Sequence, residues 1–173
     1  MARVVSSVIV IGIFGFYIIP SFLADRLARE ENFARAIAIA PHRSEYALGE
    51  ASSLIEKDGD ARHITNLLND VKYFSEDLDY RPYFYEAMML RKKHEYSKSF
   101  LAFEEAIRRS PIVPAVYKGY GEALLESGDS RGALVQFNRY VDLAPRTRDR
   151  VFYKLNPDFD EIFDLIHQAS IAK

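Results

Sequence analysis

The chain has 173 residues, of which 49% are hydrophobic and 28% charged, and its formal net charge is −2. This length suits one folded domain with an appendage, and the balanced charge excludes a general electrostatic attraction to nucleic acid. The absence of cysteine excludes thiol catalysis, thiolate metal sites and disulfide bonds.

An uncharged apolar run covers residues 4–24. As a helix it would extend for ~31 Å, which is enough to cross the hydrocarbon core of a bilayer. We therefore predict a transmembrane anchor over residues 1–24. The alternative, a cleaved signal peptide, is less favoured because a cut after Ala24 would place Phe22 where a small residue is required.

The rest of the chain predicts helices only, because its apolar residues recur at spacings of three and four and strand signals are absent. Residues 25–40 read as one helix that ends at Pro41. Helices are then expected in pairs, at 44–57 with 61–76, 81–93 with 97–110, and 114–127 with 130–143. The predicted fold class is therefore all-α.

The last predicted pair carries a recognisable set of residues within positions 114–147. Small residues stand where two paired helices would touch, large apolar residues stand around them, and a proline closes the second helix. The set comprises Tyr117, Tyr120, Gly121, Leu124, Ala133, Phe137 and Pro145. This spacing resembles the tetratricopeptide repeat (TPR), a 34-residue pair of antiparallel helices.

Copies of the second-helix pattern support the resemblance. AFEEAIRRSP at 102–111 aligns with QFNRYVDLAP at 136–145 with an offset of 34 residues, and NFARAIAIAP at 32–41 follows the same pattern. The resemblance implies a short TPR-type α-solenoid over residues 25–147, with about three repeats of which the first and second are degenerate. It is similar in plan to anchored TPR scaffolds of bacterial inner membranes.

The tail, residues 148–173, departs from the repeat. Asn156 and Pro157 are typical of a helix start, and the helix that follows would have one apolar stripe and one acidic face. We predict a C-terminal capping helix that covers the last repeat. The alternative is a helix that docks on a partner.

The sequence gives no support for an enzyme. The four histidines, His42, His63, His94 and His167, are scattered along the chain and lack metal-ligand spacing. Catalytic serine contexts and a phosphate-binding glycine loop are also missing. We therefore predict a non-catalytic protein without a cofactor, a metal or a small-molecule substrate.

The TPR resemblance implies a groove lined by the first helix of each pair. Its groove-facing slots carry Arg81, Phe84, Met88, Arg91 and Lys92 in one repeat, and Ala115, Lys118, Glu122, Leu125 and Glu126 in the next. The predicted partner-binding residues are Arg81, Phe84, Met88, Arg91, Lys92, Lys118 and Glu122. The alternative is that Arg91, Lys92 and Lys93 are only solvent-exposed cations that complement the dipole at the end of their helix.

The sequence thus predicts a membrane-anchored TPR scaffold, an accessory subunit that binds a partner protein beside a membrane complex. Envelope polysaccharide, pilus or secretion, and maturation machineries are the candidate settings implied by the resemblance. The alternative is an assembly factor or co-chaperone that binds clients transiently. The predicted location is the bacterial inner membrane with a single span and a periplasmic repeat domain, although the Lys and Arg count by itself favours a cytoplasmic one.

Overall fold

The computed structural model describes residues 19–74 and 79–143 and, in the tail, residues 164, 165, 167 and 171. Within 19–143 the described residues form eight α-helices and no strand. These are α1 (Ile19–Arg29), α2 (Phe33–Ile39), α3 (Ser44–Glu56), α4 (Ala61–Phe74), α5 (Arg81–Lys92), α6 (Tyr96–Arg109), α7 (Pro114–Ser127) and α8 (Ser130–Leu143).

The predicted all-α fold with paired helices is confirmed. Three consecutive pairs, α3 with α4, α5 with α6 and α7 with α8, pack as helical hairpins. Their bounds lie within two residues of those expected from the sequence, because proline, glycine and loop residues mark the ends. Gly128 ends α7 with a φ of +94°, the left-handed conformation that glycine adopts without steric cost.

Helices α1–α4 form one compact unit, and helices α5–α8 with the described tail residues form a second. In the first unit, Ala24, Ala36, Ala40 and Tyr46 form a buried cluster between α1, α2 and the start of α3. The hydroxyl of Tyr46 donates a hydrogen bond of 2.5 Å to Asp25. That bond, helped by the nearby charge of Arg43, holds the pKa of Asp25 below its ordinary value.

The segment expected to be one helix over residues 25–40 is instead two helices, α1 and α2. Glu31 lies between them with a φ of +56°, and the backbone amide of Asn32 donates to the carbonyl of Leu27 over 2.8 Å. This local bond closes α1 and turns the chain before α2 begins. The sequence prediction missed the break because neither glycine nor proline marks it.

The core of the second unit repeats with the 34-residue period of the sequence. Phe103 on α6 and Phe137 on α8 occupy equivalent positions, and both are fully buried. The glycines of α7 lie directly against these rings: a Cβ added to Gly121 would be 2.5 Å from the Phe137 ring, and one added to Gly119 would be 3.1 Å from the Phe103 ring. The small residue predicted at position 121 is therefore required by a close contact between helix backbone and ring.

The predicted membrane location is wrong. None of the described helices is long and apolar enough to cross a membrane. Most of the apolar run, residues 4–18, lies outside the described residues. Its last six residues belong to α1, whose last turn carries Arg26 and Arg29. Hydropathy along the sequence predicted a span, whereas the described part of the run belongs to a helix that packs on α2.

The predicted capping helix over residues 148–173 and the closing Pro145 lie mostly outside the described residues. Residues 164, 165, 167 and 171 are helical. Asp164, His167 and Ile171 are exposed, whereas Leu165 is partly buried and packs against the core of the second unit. The domain boundaries predicted from the sequence stay predictions.

Candidate partner-binding groove on α5 and α7

The predicted groove residues lie on α5 and α7, the first helices of two consecutive hairpins. Pro82 lies in the first turn of α5, and Pro114 begins α7. Proline is tolerated there because the backbone amides of the first turn have no hydrogen-bond acceptor within the helix. The periodicity of each helix then turns its small and aromatic residues inward against α6 and α8. Residues at spacings of three and four on the other face are left for the groove.

Two of the predicted residues, at the amino-terminal end of α5, serve the fold. The guanidinium of Arg81 makes a bidentate hydrogen-bonded pair with Asp79, with distances of 2.9 and 3.0 Å. Phe84 is partly buried, and its ring packs edge-on against Phe103 with 6.3 Å between the ring centroids. Neither side chain is therefore a simple exposed anchor for a partner.

An ion-pair network joins α5 to α7 near the carboxyl-terminal end of both helices. The side chain of Arg91 is 17% exposed and bonds to two carboxylates of α7. It donates to Glu126 through Nε at 3.0 Å and through Nη2 at 2.6 Å, and its Nη1 donates to Glu122. Lys118 Nζ lies 4.0 Å from the second oxygen of Glu122. The predicted groove cations are thus largely neutralised by acids of the same groove.

These partners favour the charged form of Arg91. Burial acts to lower its pKa, but the hydrogen bonds that Arg91 donates to Glu126 and the charge and hydrogen bond of Glu122 outweigh burial and hold the pKa above its ordinary value. The guanidinium of an arginine is charged at physiological pH in any case, and here its planar fork is held between the carboxylates of Glu122 and Glu126.

An open cavity of about 520 Å³ lies beside the Arg91–Glu126 ion pair. Its lining combines an apolar floor, an aromatic wall and charged groups at the rim: Met88, Arg91, Lys92, His94, Tyr96 and Glu126. Tyr96 is held in place by a hydrogen bond of 2.8 Å to His94 and by stacking on Phe100. Lys92 is exposed at the rim. The cavity can therefore take an apolar side chain and present a cation beside it.

A smaller cavity of about 190 Å³ lies on the other side of Arg91. It is lined by Arg91, Glu122, Leu125, Glu126 and Leu165. Arg91 and Glu126 line both cavities, so their ion pair separates the two. Leu165, the partly buried tail residue, is distant in sequence from the other lining residues, which belong to α5 and α7.

The structure therefore brings together five of the seven predicted residues. Met88, Arg91 and Lys92 line the larger cavity, and Lys118 and Glu122 belong to the ion-pair network. His94, Tyr96 and Leu165 were not predicted as groove residues. His94 lies in the turn after α5 and Tyr96 begins α6, a stretch that the repeat pattern assigns to solvent, and Leu165 lies beyond the last repeat.

Comparison with known proteins supports the fold. No protein-family model and no curated protein sequence matches the chain. Among solved structures, the crystal structure of MamA is similar with a TM-score of 0.58 and 14% identity, over 86% of this chain and 93% of MamA. The structure from the functional characterisation of Pseudomonas aeruginosa PilF is similar with a TM-score of 0.59 and 14% identity, over 91% of this chain and 78% of PilF.

Both neighbours are all-α proteins of the TPR type, and this chain therefore has a TPR-type fold. At such low identity the likeness establishes the fold and leaves the partner open.

Proposed function

We propose that this chain is a non-catalytic interaction protein that binds a segment of a partner protein in the groove between α5 and α7. The observation that carries the proposal is the open cavity lined by Met88, Lys92 and Tyr96 beside a fixed ion pair. The TPR-type neighbours support a scaffold role, because solenoid repeats display extended surfaces for protein partners.

The lining of the larger cavity indicates the chemistry of the partner segment. Met88 offers a flexible, polarisable floor, and Tyr96 offers an aromatic wall, which together suit a large apolar side chain. Lys92, an exposed residue of the cavity lining, places a cationic side chain at the rim. A helical or extended segment with one large apolar residue beside an acidic one would satisfy both features.

The test uses a double variant that changes the cavity and leaves the buried core residues and the ion-pair network unsubstituted. Lys92→Glu reverses the rim charge and Tyr96→Ala removes the aromatic wall. The control is Lys93→Glu with Tyr73→Ala, which makes the same chemical changes at two exposed positions outside the cavity. Both variants are full-length and carry the same affinity tag.

We expect the cavity variant to capture at most about one tenth of the partner protein that wild type captures. Truncating one aromatic hot spot costs ~2 kcal/mol or more of binding free energy. The control should retain the wild-type amount, and all three proteins should melt at similar temperatures by circular dichroism. The retained protein is measured by quantitative mass spectrometry after capture from the native cells.

Equal retention by the two double variants would refute the cavity as the binding site. The composition of the captured material separates the two forms of the function. One stoichiometric protein indicates an accessory subunit, and several substoichiometric proteins indicate an assembly factor or co-chaperone.

A further inference from the structure

We infer that Gly119 on α7 determines the size of the apolar side chain that the larger cavity accepts, because it fixes the position of the Met88 side chain in the cavity lining. This inference rests on the proposed function, since it assumes that a partner segment inserts an apolar residue into that cavity. Gly119 is buried and acts through Met88, so it is a positioning residue.

The first observation is a close approach between α7 and Met88 of α5. A Cβ added to Gly119 would lie 3.3 Å from the Met88 sulfur and 3.1 Å from the nearest atom of the Phe103 ring. Ordinary contacts between nonbonded carbon atoms are about 3.5–4.0 Å, so a side chain at this position requires one neighbour to move. The sulfur of Met88 therefore lies this close to α7 because position 119 has no Cβ.

The second observation is that Met88 has room to move and Phe103 does not. Phe103 is fully buried, lies edge-on to Phe84 with 6.3 Å between the ring centroids, and stacks on Tyr120 with 5.4 Å between the centroids. Met88 is partly buried and lines the open cavity of about 520 Å³. Its unbranched thioether side chain adapts easily. A Cβ at position 119 would therefore displace Met88 toward the cavity and leave the Phe103 ring in place.

The third observation is that other side chains of the lining are held by partners of their own. Tyr96 is hydrogen-bonded to His94 over 2.8 Å and stacks on Phe100. Arg91 is held by the ion-pair network. Met88 is the aliphatic and adaptable member of this lining. Its position therefore sets the space that is left for an apolar side chain of a partner.

The consequence is selection by size. With glycine at position 119, the cavity accepts a large apolar side chain such as that of leucine or phenylalanine. With alanine there, the thioether of Met88 occupies part of that space, and a large side chain loses its advantage over a small one. One methylene group in an apolar pocket changes discrimination by roughly 10- to 200-fold, so the effect is large enough to measure.

The experiment measures this preference with peptides. The probe is a phage-displayed library of short random peptides, selected on the purified full-length protein. Each selected peptide is synthesised with a fluorescein label, together with a copy in which its large apolar residue is replaced by alanine. The ratio of the two dissociation constants is measured by fluorescence anisotropy. Loss of binding to the Lys92→Glu, Tyr96→Ala variant identifies the peptides that use the cavity.

We expect wild type to favour the large residue over alanine by at least about tenfold, and Gly119→Ala to lose most of this preference. The control Gly132→Ala makes the same substitution on α8, where the added Cβ meets the exposed side chain of Asp129, and it should keep the wild-type ratio. Adding Met88→Ala to Gly119→Ala removes the displaced side chain and should restore the preference. A substitution that only weakened the fold would weaken both peptides equally and leave the ratio unchanged.

A second measurement needs no peptide, because it follows Met88 itself. The chain has three methionines, Met1, Met88 and Met89, so methyl-labelled methionine gives a simple NMR spectrum. We expect Gly119→Ala to shift the Met88 methyl signal and to increase its broadening by a soluble nitroxide. The signal of Met89, a buried residue, should change little. An unchanged Met88 signal would overturn the inference.

The outcomes distinguish this inference from the proposed function. Peptides that need the cavity but show the wild-type ratio on Gly119→Ala would overturn the inference and leave the proposed function standing. A selection that yields only peptides indifferent to Lys92→Glu, Tyr96→Ala would refute the proposed function, and the inference with it.

If Gly119→Ala alone does not fold, the comparison is made in the Met88→Ala protein. Because Gly119 acts through Met88, adding Gly119→Ala to that variant should leave the ratio of the two dissociation constants unchanged. A ratio that still changes would show that position 119 acts by another route and would overturn the inference.

Discussion

Gly121→Leu is expected to destabilise the second unit by about 3 kcal/mol, the upper end of the usual cost of overpacking. A Cβ at this position would lie 2.5 and 2.6 Å from two atoms of the Phe137 ring, and that ring is fully buried. The ring cannot swing aside into solvent, so α7 must move away from α8. Such a movement also opens the contacts that Ala133 makes at the same interface.

The measurement is chemical unfolding of the full-length protein in urea, followed by circular dichroism. A matched control is Gly132→Ala on α8, where an added Cβ would meet the carboxylate of Asp129, the far end of an exposed side chain. That carboxylate accepts a hydrogen bond of 2.9 Å from the Gly132 amide, so its displacement costs about 1 kcal/mol of capping. The higher helix propensity of alanine offsets this by up to about 1 kcal/mol, and we expect little net change. An unchanged unfolding midpoint for Gly121→Leu would show that α7 and α8 do not pack in this register.

Arg91→Glu is expected to destabilise the second unit by about 2 kcal/mol, because the network is partly buried and lies between exposed pairs at less than about 1 kcal/mol and fully buried pairs at about 3–5 kcal/mol. The substitution places three carboxylates together, those of positions 91, 122 and 126, with Lys118 as the remaining cation of the network. For the same reason Arg91 is a poor choice for a binding test, because loss of a partner could then report loss of structure.

The control for this prediction is Arg108→Glu, which reverses a charge at an exposed ion pair of α6 with a side chain 68% exposed. Surface pairs of this kind contribute less than about 1 kcal/mol. Exchanging the charges, as Arg91→Glu with Glu126→Arg, should recover part of the lost stability. If Arg91→Glu and Arg108→Glu shift the unfolding free energy equally, the network does not join the two helices.

The helices and the core could be predicted from the sequence because their determinants are local or periodic. Proline and glycine mark the ends of α7, and the offset of 34 residues by itself relates Phe103 to Phe137 as equivalent core positions. The need for glycine at position 121 follows from the same repeat, since a small residue is required where paired helices touch.

The groove was harder to predict because its charge and shape depend on contacts between side chains of different helices. The sequence places Arg91 on the groove face but does not show that two acids, 31 and 35 residues later, neutralise it. A signal existed, since one repeat length from Arg91 leads to Leu125, between Glu122 and Glu126. The contact of Leu165 has no such signal, because the tail lies outside the repeat register. The break at Glu31 depends on one backbone conformation that composition does not reveal.

If a partner protein contacts the cavity between α5 and α7, site-specific photo-cross-linking from the cavity rim will capture it. A benzophenone amino acid is placed in the full-length chain at position 92, on the cavity rim, or at position 135 on α8, where Val135 is 63% exposed and outside the cavity lining. Irradiation in the native cells, followed by mass spectrometry, identifies what each position touches. We expect a cross-linked partner from position 92 and none from position 135. A partner captured from position 135 and not from position 92 would contradict it.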